Sequence, residues 1–184
     1  MVITEIENRR HELLEALSQE LNDAQIAAVV RKDEGAPEMV SAILDELGDE
    51  DMVVMGDFFF RQPETEDDGA QSFLSVLTIA DDIPPERLPA LYEAMSYVNF
   101  NVPAGCFAID KDHRFLCYVL STLMPADLEQ EALFREMDLA VGNAMAISDT
   151  YIGILADVLS GTIEADGVVE FLGGPDDADQ TDPA

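Results

Sequence analysis

Two histidines, two cysteines and several dense runs of carboxylates are the side chains in this 184-residue chain whose types suit chemistry. His11 and His113 lie far apart, and neither has a ligand-type neighbour at metal-binding spacing in its own segment, so both read as surface or structural residues. Asp110 precedes His113 by one turn and would raise its pKa across that turn, yet no nucleophile accompanies the pair for acid or base catalysis to serve. Cys106 and Cys117 flank a polar turn at Lys111-Asp112. If that turn has two residues, Cys106 faces Cys117 with α-carbons about 5.5 Å apart, Ala108 faces Phe115, and Phe107 and Leu116 share the opposite side. A redox pair is then conceivable; two thiols packed as small hydrophobes is the plainer reading. Lys-Asp is a poor two-residue turn, so a longer loop would shift this register. The acidic runs Asp45-Glu46-Asp49-Glu50-Asp51 and Glu64-Glu66-Asp67-Asp68 lack the Asp-x-Asp-x-Asp-Gly alternation of a calcium loop and read as solvated faces. Gly173-Gly174 has neither the upstream glycine nor the Lys-Ser/Thr of a phosphate loop, and no serine sits in a Gly-x-Ser-x-Gly elbow. No catalytic residue, metal ion or cofactor is therefore expected.

What must position these residues is a folded domain with an acidic surface. The 39 acidic and 9 basic residues leave a net charge of −30, while 48% hydrophobic residues and a mean hydropathy of +0.04 supply enough apolar side chains for a core. That charge argues against nucleic acid, whose counterions only a basic surface displaces, and against anionic membranes. The first residues turn charged at once, unlike a signal peptide, and no run of about eighteen apolar residues suits a membrane span. A cytoplasmic location is expected, in agreement with only two cysteines. The scarcity of lysine (Lys32 and Lys111) also fits adaptation to high salt.

Apolar residues at Ile3, Ile6, Leu13, Leu14, Leu17 and Leu21 predict an amphipathic helix over the first twenty residues. Asn22-Asp23 offers a break, and Ala24 to Lys32 reads as helix more readily than strand. Pro37 opens a third helix with Val40, Ile43, Leu44 and Leu47 on one face, stopped by Gly48. Met52 to Arg61 and Ser72 to Ala80 read as strands joined by an exposed acidic loop, and Pro84 and Pro85 announce a helix whose regular part begins near Leu88. A second hairpin, Gly105 to Asp110 and His113 to Leu123, leads to the longest helix, Ala126 to Leu159. Residues 162–174 suggest a small hairpin turning at Asp166-Gly167, and 175–184 a disordered acidic tail. The expected class is α+β, an antiparallel sheet of two hairpins packed with helices in the order α-α-α-β-β-α-β-β-α. Its divisions are N-terminal helical segments at 1–50 and a core at 51–161.

Both sides of the first hairpin are apolar: Met52, Val54, Phe58 and Phe60 alternate with Val53, Met55 and Phe59, and Phe73, Leu77 and Ile79 with Leu74 and Val76. Either the N-terminal helices cover the second side, or a subunit or client does. Phe58, Phe60, Leu74 and Val76 are the candidate partner-binding residues, with Glu64, Glu66, Asp67 and Asp68 as a solubilising rim. The element order from Asp51 to Gly161, the Tyr97-Val98-Asn99-Phe100-Asn101 helix end, the Asp110-Lys111-Asp112-His113 turn and Met124-Pro125 before the last helix resemble the YbjN family. That family's fold is similar to type III secretion chaperones, so the resemblance implies a non-catalytic protein-binding module, chaperone-like or regulatory, often homodimeric. Two alternatives stand beside it: a cysteine-dependent activity at Cys106 and Cys117, and an acidic decoy for a basic partner.

Overall fold

The computed structural model describes residues 3–48, 52–61 and 70–173. Its elements are α1 (Ile3–Asp23), β1 (Ala27–Arg31), β2 (Met39–Leu47), β3 (Met52–Phe60), β4 (Ala70–Ala80), α2 (Leu88–Asn101), β5 (Cys106–Asp110), β6 (Phe115–Pro125), α3 (Gln130–Ser160) and α4 (Gly167–Gly173). The class is α+β, with an antiparallel, unclosed sheet. That sheet has six strands rather than four, in the order β1-β2-β3-β4-β6-β5.

The expected element order fails at both ends of the chain. Ala24–Lys32 and residues 37–48 are not helices but contain β1 and β2, a hairpin turned through Gly35 (φ 82°) and extending the sheet beyond β3. Val40, Leu44 and Leu47 face the core, whereas Ile43 faces away, so their near-helical spacing mixes two faces of one strand. A β-bulge between Leu44 and Leu47 completes the disguise. Residues 162–174 hold α4 in place of a hairpin: Gly167 opens the helix, and Val168 is its buried anchor. The expected tail lies outside the described residues.

α4 packs on α2, and α1, α2 and α3 pack on one face of the sheet. Its core rows include Val40, Phe58 and Leu120, and Ala42, Leu77, Tyr118 and Phe107, joined in one cluster with Leu13, Leu14 and Leu17 of α1 and Leu91 and Val98 of α2. α3 lies on β4, β6 and β2 and meets both α1 and α2. It starts at Gln130, later than expected, because residues 126–129 form the turn whose Ala126 and Leu128 carbonyls accept hydrogen bonds from Arg9 of α1. Against expectation, α3 is long and apolar enough to cross a bilayer; here its apolar stripe, Leu133 to Val158, is buried as in a core helix. Gly161 (φ 81°) ends it, with its N–H on the Asp157 and Val158 carbonyls, while Arg87 Nε donates to the Leu159 carbonyl at 3.1 Å.

An asparagine at a helix end meets each outer strand. Asn22 of α1 donates from Nδ2 to the Ala28 carbonyl (2.8 Å) and accepts the Ala28 N–H on Oδ1 (3.2 Å). Asn99 of α2 does the same to Phe107 of β5, at 2.9 and 2.7 Å. Each amide supplies the donor and acceptor that a seventh strand would bring. Next to this contact, Gly105 (φ 70°) lets the chain pass over Tyr118, whose hydroxyl donates to the Ala104 carbonyl at 2.6 Å. Burial pushes that phenol up to about 12.

Two substitutions test this. Asn99→Ala leaves the Phe107 N–H and carbonyl without partners and is expected to cost about 1–3 kcal/mol in denaturant unfolding. Gly105→Ala adds strain at positive φ and a Cβ 2.5 Å from the Tyr118 hydroxyl, so a loss of roughly 2 kcal/mol or more is expected. Wild-type stability in either variant contradicts these roles.

Candidate partner-binding face

Side chains alternate along a strand, so the β3–β4 pairing decides which candidate residues share a face. Phe58 pairs with Ser75, Phe60 with Phe73, Phe59 with Leu74, and Asp57 with Val76. Phe58 and Phe60 therefore point into the helix-covered core, at 0% and 3% exposure, with Phe60 edge-on to Phe73 (centroids 5.2 Å apart) and under the Arg10 guanidinium. Leu74 and Val76 are half-buried on the opposite face. The expectation that all four form one surface is corrected: the first two are core, and the residue sharing Leu74's row is Phe59. The acidic rim expected at residues 64–68 lies outside the described residues.

Among the described residues, no helix lies on the face that carries Leu74 and Val76. N-terminal helices do not cover it, since α1 packs from the core side and the next segments add strands. One row crosses all six strands as Val29, Ser41, Asp57, Val76, Val119 and Cys106. The next is Ala27, Ile43, Met55, Thr78, Cys117 and Ala108, and on the other side lie Arg31, Met39, Phe59, Leu74 and Ser121. Val53 (61%), Val29 (59%) and Leu123 (74%) are largely exposed there, and Ile43 and Met55 also lie open. Val29 and Ile43 were hidden from sequence reasoning by the helical reading of their segments. The adjacent β-branched Val29-Val30 was the signal available for a strand.

The polar groups at the centre of this face are paired. Arg31 donates from Nη2 to Asp57 Oδ1 (3.2 Å) and bonds to Ser41, whose hydroxyl donates to Asp57. This three-strand network stitches β1, β2 and β3, with Arg31 shared between Asp57 and Asp33 at 3.2 Å each. Alternation places the remaining strand carboxylates of the face, Asp45 and Asp110, near strand ends.

The other candidates resolve separately. The β5–β6 loop has four residues, 111–114, because the Asp110 carboxylate accepts the Asp112 and His113 N–H groups and its carbonyl accepts Arg114 N–H, with Arg114 at φ 58°. Cys106 consequently faces Val119 and Cys117 faces Ala108, a two-residue shift that breaks the expected cysteine pair but keeps Phe107 and Leu116 on the core side. Cys106 is exposed; Cys117 is buried and its thiol is pushed up by burial, the opposite of an activated nucleophile. His113 Nδ1 lies 3.0 Å from Asp110 Oδ2, and this bond raises the imidazole and lowers the carboxyl. His11 pairs with Glu15 (3.3 Å) and Glu38 (3.1 Å) on the surface. Among the described residues no group of three or more His, Cys, Asp or Glu is arranged to hold a metal ion.

Phe58→Ser is expected to lower stability by roughly 3 kcal/mol or more and Val76→Ser by about 1 kcal/mol or less, in chemical unfolding. Equal losses contradict the division into core and open faces. The His113–Asp110 bond sets a pH window. The histidine's folded pKa lies above 6.5, so its contribution is complete below that value and lost as pH rises through the folded pKa. Asp110, lowered from 3.8, contributes above that value and loses its part as pH falls through its own folded pKa. In an NMR titration, Asp110→Asn is expected to bring His113 down toward 6.5; an unchanged midpoint rejects the bond.

Compared with known proteins, the chain matches no protein-family model and no curated protein.

Proposed function

We propose that the chain is a non-catalytic protein-binding module of the cytoplasm, chaperone-like or regulatory, that meets its protein partner on the open face of the sheet. One observation carries this: a six-stranded sheet face rich in valine, isoleucine, methionine, leucine and phenylalanine has no helix over it among the described residues. Apolar patches of that kind persist on folded proteins where something else covers them. Backbone geometry points the same way. With Asn22 bonded to Ala28 and Asn99 to Phe107, part of each outer strand is already taken, which favours a partner lying across the face.

The resemblance to the YbjN family, and through it to type III secretion chaperones, supports a holding or regulatory role. The order β3-β4-α2-β5-β6-α3 of the segment that carries the resemblance supports this reading. The decoy alternative rests on the charge of −30 and calls for binding that collapses with salt, whereas an apolar contact tolerates it. A cysteine-dependent activity is the weaker alternative, given the raised Cys117 thiol and its separation in register from Cys106.

A photo-reactive amino acid at Val76, compared with one at exposed Asp138 on α3, tests the reading in cells. Protein adducts are expected at 76 and not at 138. Adducts at 138 alone, or at neither, overturn the proposal.

A further inference from the structure

We infer that the open face takes a protein segment carrying one arginine or lysine among apolar side chains, with that cation seated on Asp57. This rests on the protein-binding reading above and names the chemistry of its partner. Asp57 stands at the centre of the face, between Ser41 and Val76 in its row and between Met55 and Phe59 along β3. Arg31 Nη2 and the Ser41 hydroxyl both bond its Oδ1, which fixes how the carboxylate is turned. Among the described residues nothing bonds Oδ2, and 25% of the side chain is exposed. Stitching the strands uses one oxygen; the other is left to whatever covers the face.

The charge of Asp57 is not cancelled within the chain. Arg31 also lies 3.2 Å from Asp33, so one guanidinium serves two carboxylates, in a chain of 39 acidic and 9 basic residues. When a partner's apolar side chains close over Val76, Met55 and Phe59, water leaves Oδ2, and a carboxylate buried without a donor is strongly destabilising. A neutral hydroxyl or amide supplies the hydrogen bond but leaves the charge uncompensated. A guanidinium or ammonium supplies both, and its aliphatic stem suits the apolar surroundings. The rest of the chain's charge draws a cation in and repels an anion. A second copy brings the same carboxylate to the same face, and an acidic segment adds to the repulsion, so neither is the occupant of this place.

Selection of phage-displayed random peptides of about sixteen residues against the full chain provides the test. Peptides that engage the face are recognised by a loss of affinity of about fivefold or more on Val76→Gln. They are expected to carry an arginine or lysine flanked by apolar residues and to bind Asp57→Asn about tenfold or more weakly than wild type. The new amide still accepts the bonds from Ser41 and Arg31, so circular dichroism is expected to stay that of wild type. Replacing the basic residue by norleucine in a synthetic peptide needs no protein variant and is expected to weaken binding to wild type by a similar factor. In a parallel selection, Asp57→Lys is expected to favour aspartate or glutamate in its place. Face-binding peptides without a cation, or a norleucine peptide that binds as tightly as its parent, overturn the inference and leave the broader binding reading standing. Recovery of no peptide that Val76→Gln weakens overturns it too, and together with the absence of photo-adducts at Val76 removes both.

Discussion

How closely α3 can approach the two longest strands sets the rest of the fold. β4 and β6, eleven residues each, pair along nearly their whole length, and α3 lies on both while touching α1 and α2. Its buried side carries Ala140, Ala144 and Ser148 at intervals of four, small enough to bring the helix axis near the sheet. The same demand shows in two hydroxyls, Ser75 Oγ and Ser148 Oγ, which are buried with no hydrogen-bond partner. An unpaired buried hydroxyl is unfavourable, so side-chain size, not polarity, decides those positions. With α3 in the middle, α1 covers β1 and β2, where Ala28, Ala42 and Gly56 leave a shallow row, and α2 covers β5.

In a chain with 9 basic residues, arginines are spent on backbone and packing more than on surface pairs. Arg9 ties α1 to the turn before α3, and Arg87 covers the carbonyl end of α3, where a cation meets the helix dipole. Arg10 donates to Gln71 at 2.9 Å and lies over Phe60, its guanidinium lowered by burial and partly restored by Glu7. Arg114 reaches the Ile83 carbonyl and Asp82. A guanidinium binds two carbonyls or a ring face in ways an ammonium does not, and seven of the nine cations are arginine.

Much of this was legible in the sequence, and the failures share a cause. α1, α2 and α3 follow from helical periodicity, β3 and β4 from continuous apolar runs flanked by polar loops, and the α2 boundary near Leu88 from Pro89. β1 and β2 do not, because a strand whose outer face is also apolar loses the alternation that identifies strands. Met39 and Ile43 on the open face fill the gaps between Val40, Ala42 and Leu44 on the core face, and the result imitates a helix. The feature that made the face interesting also concealed two of its strands. Parity was the second failure. With a nine-residue acidic segment between β3 and β4, nothing local fixes which of Phe58 or Phe59 opposes Leu74, and one residue of slip exchanges core for surface. At the second hairpin the Asp110 side chain, which captures two N–H groups, set a longer loop than the Lys-Asp pair suggested.

The paired asparagines bear on how such a fold varies through descent. Sheets commonly gain strands by accretion at their margins, where an inserted or duplicated segment finds a ready row of donors and acceptors. Here Asn22 and Asn99 each take the N–H and carbonyl of one residue at a margin, Ala28 and Phe107, and each is anchored in the helix that precedes its strand. Lineages of this architecture would keep their strand number fixed while both asparagines survive, and tolerate new sequence in turns instead. Loss of one asparagine would open a single margin, and a seventh strand would then be an inherited option on that side alone.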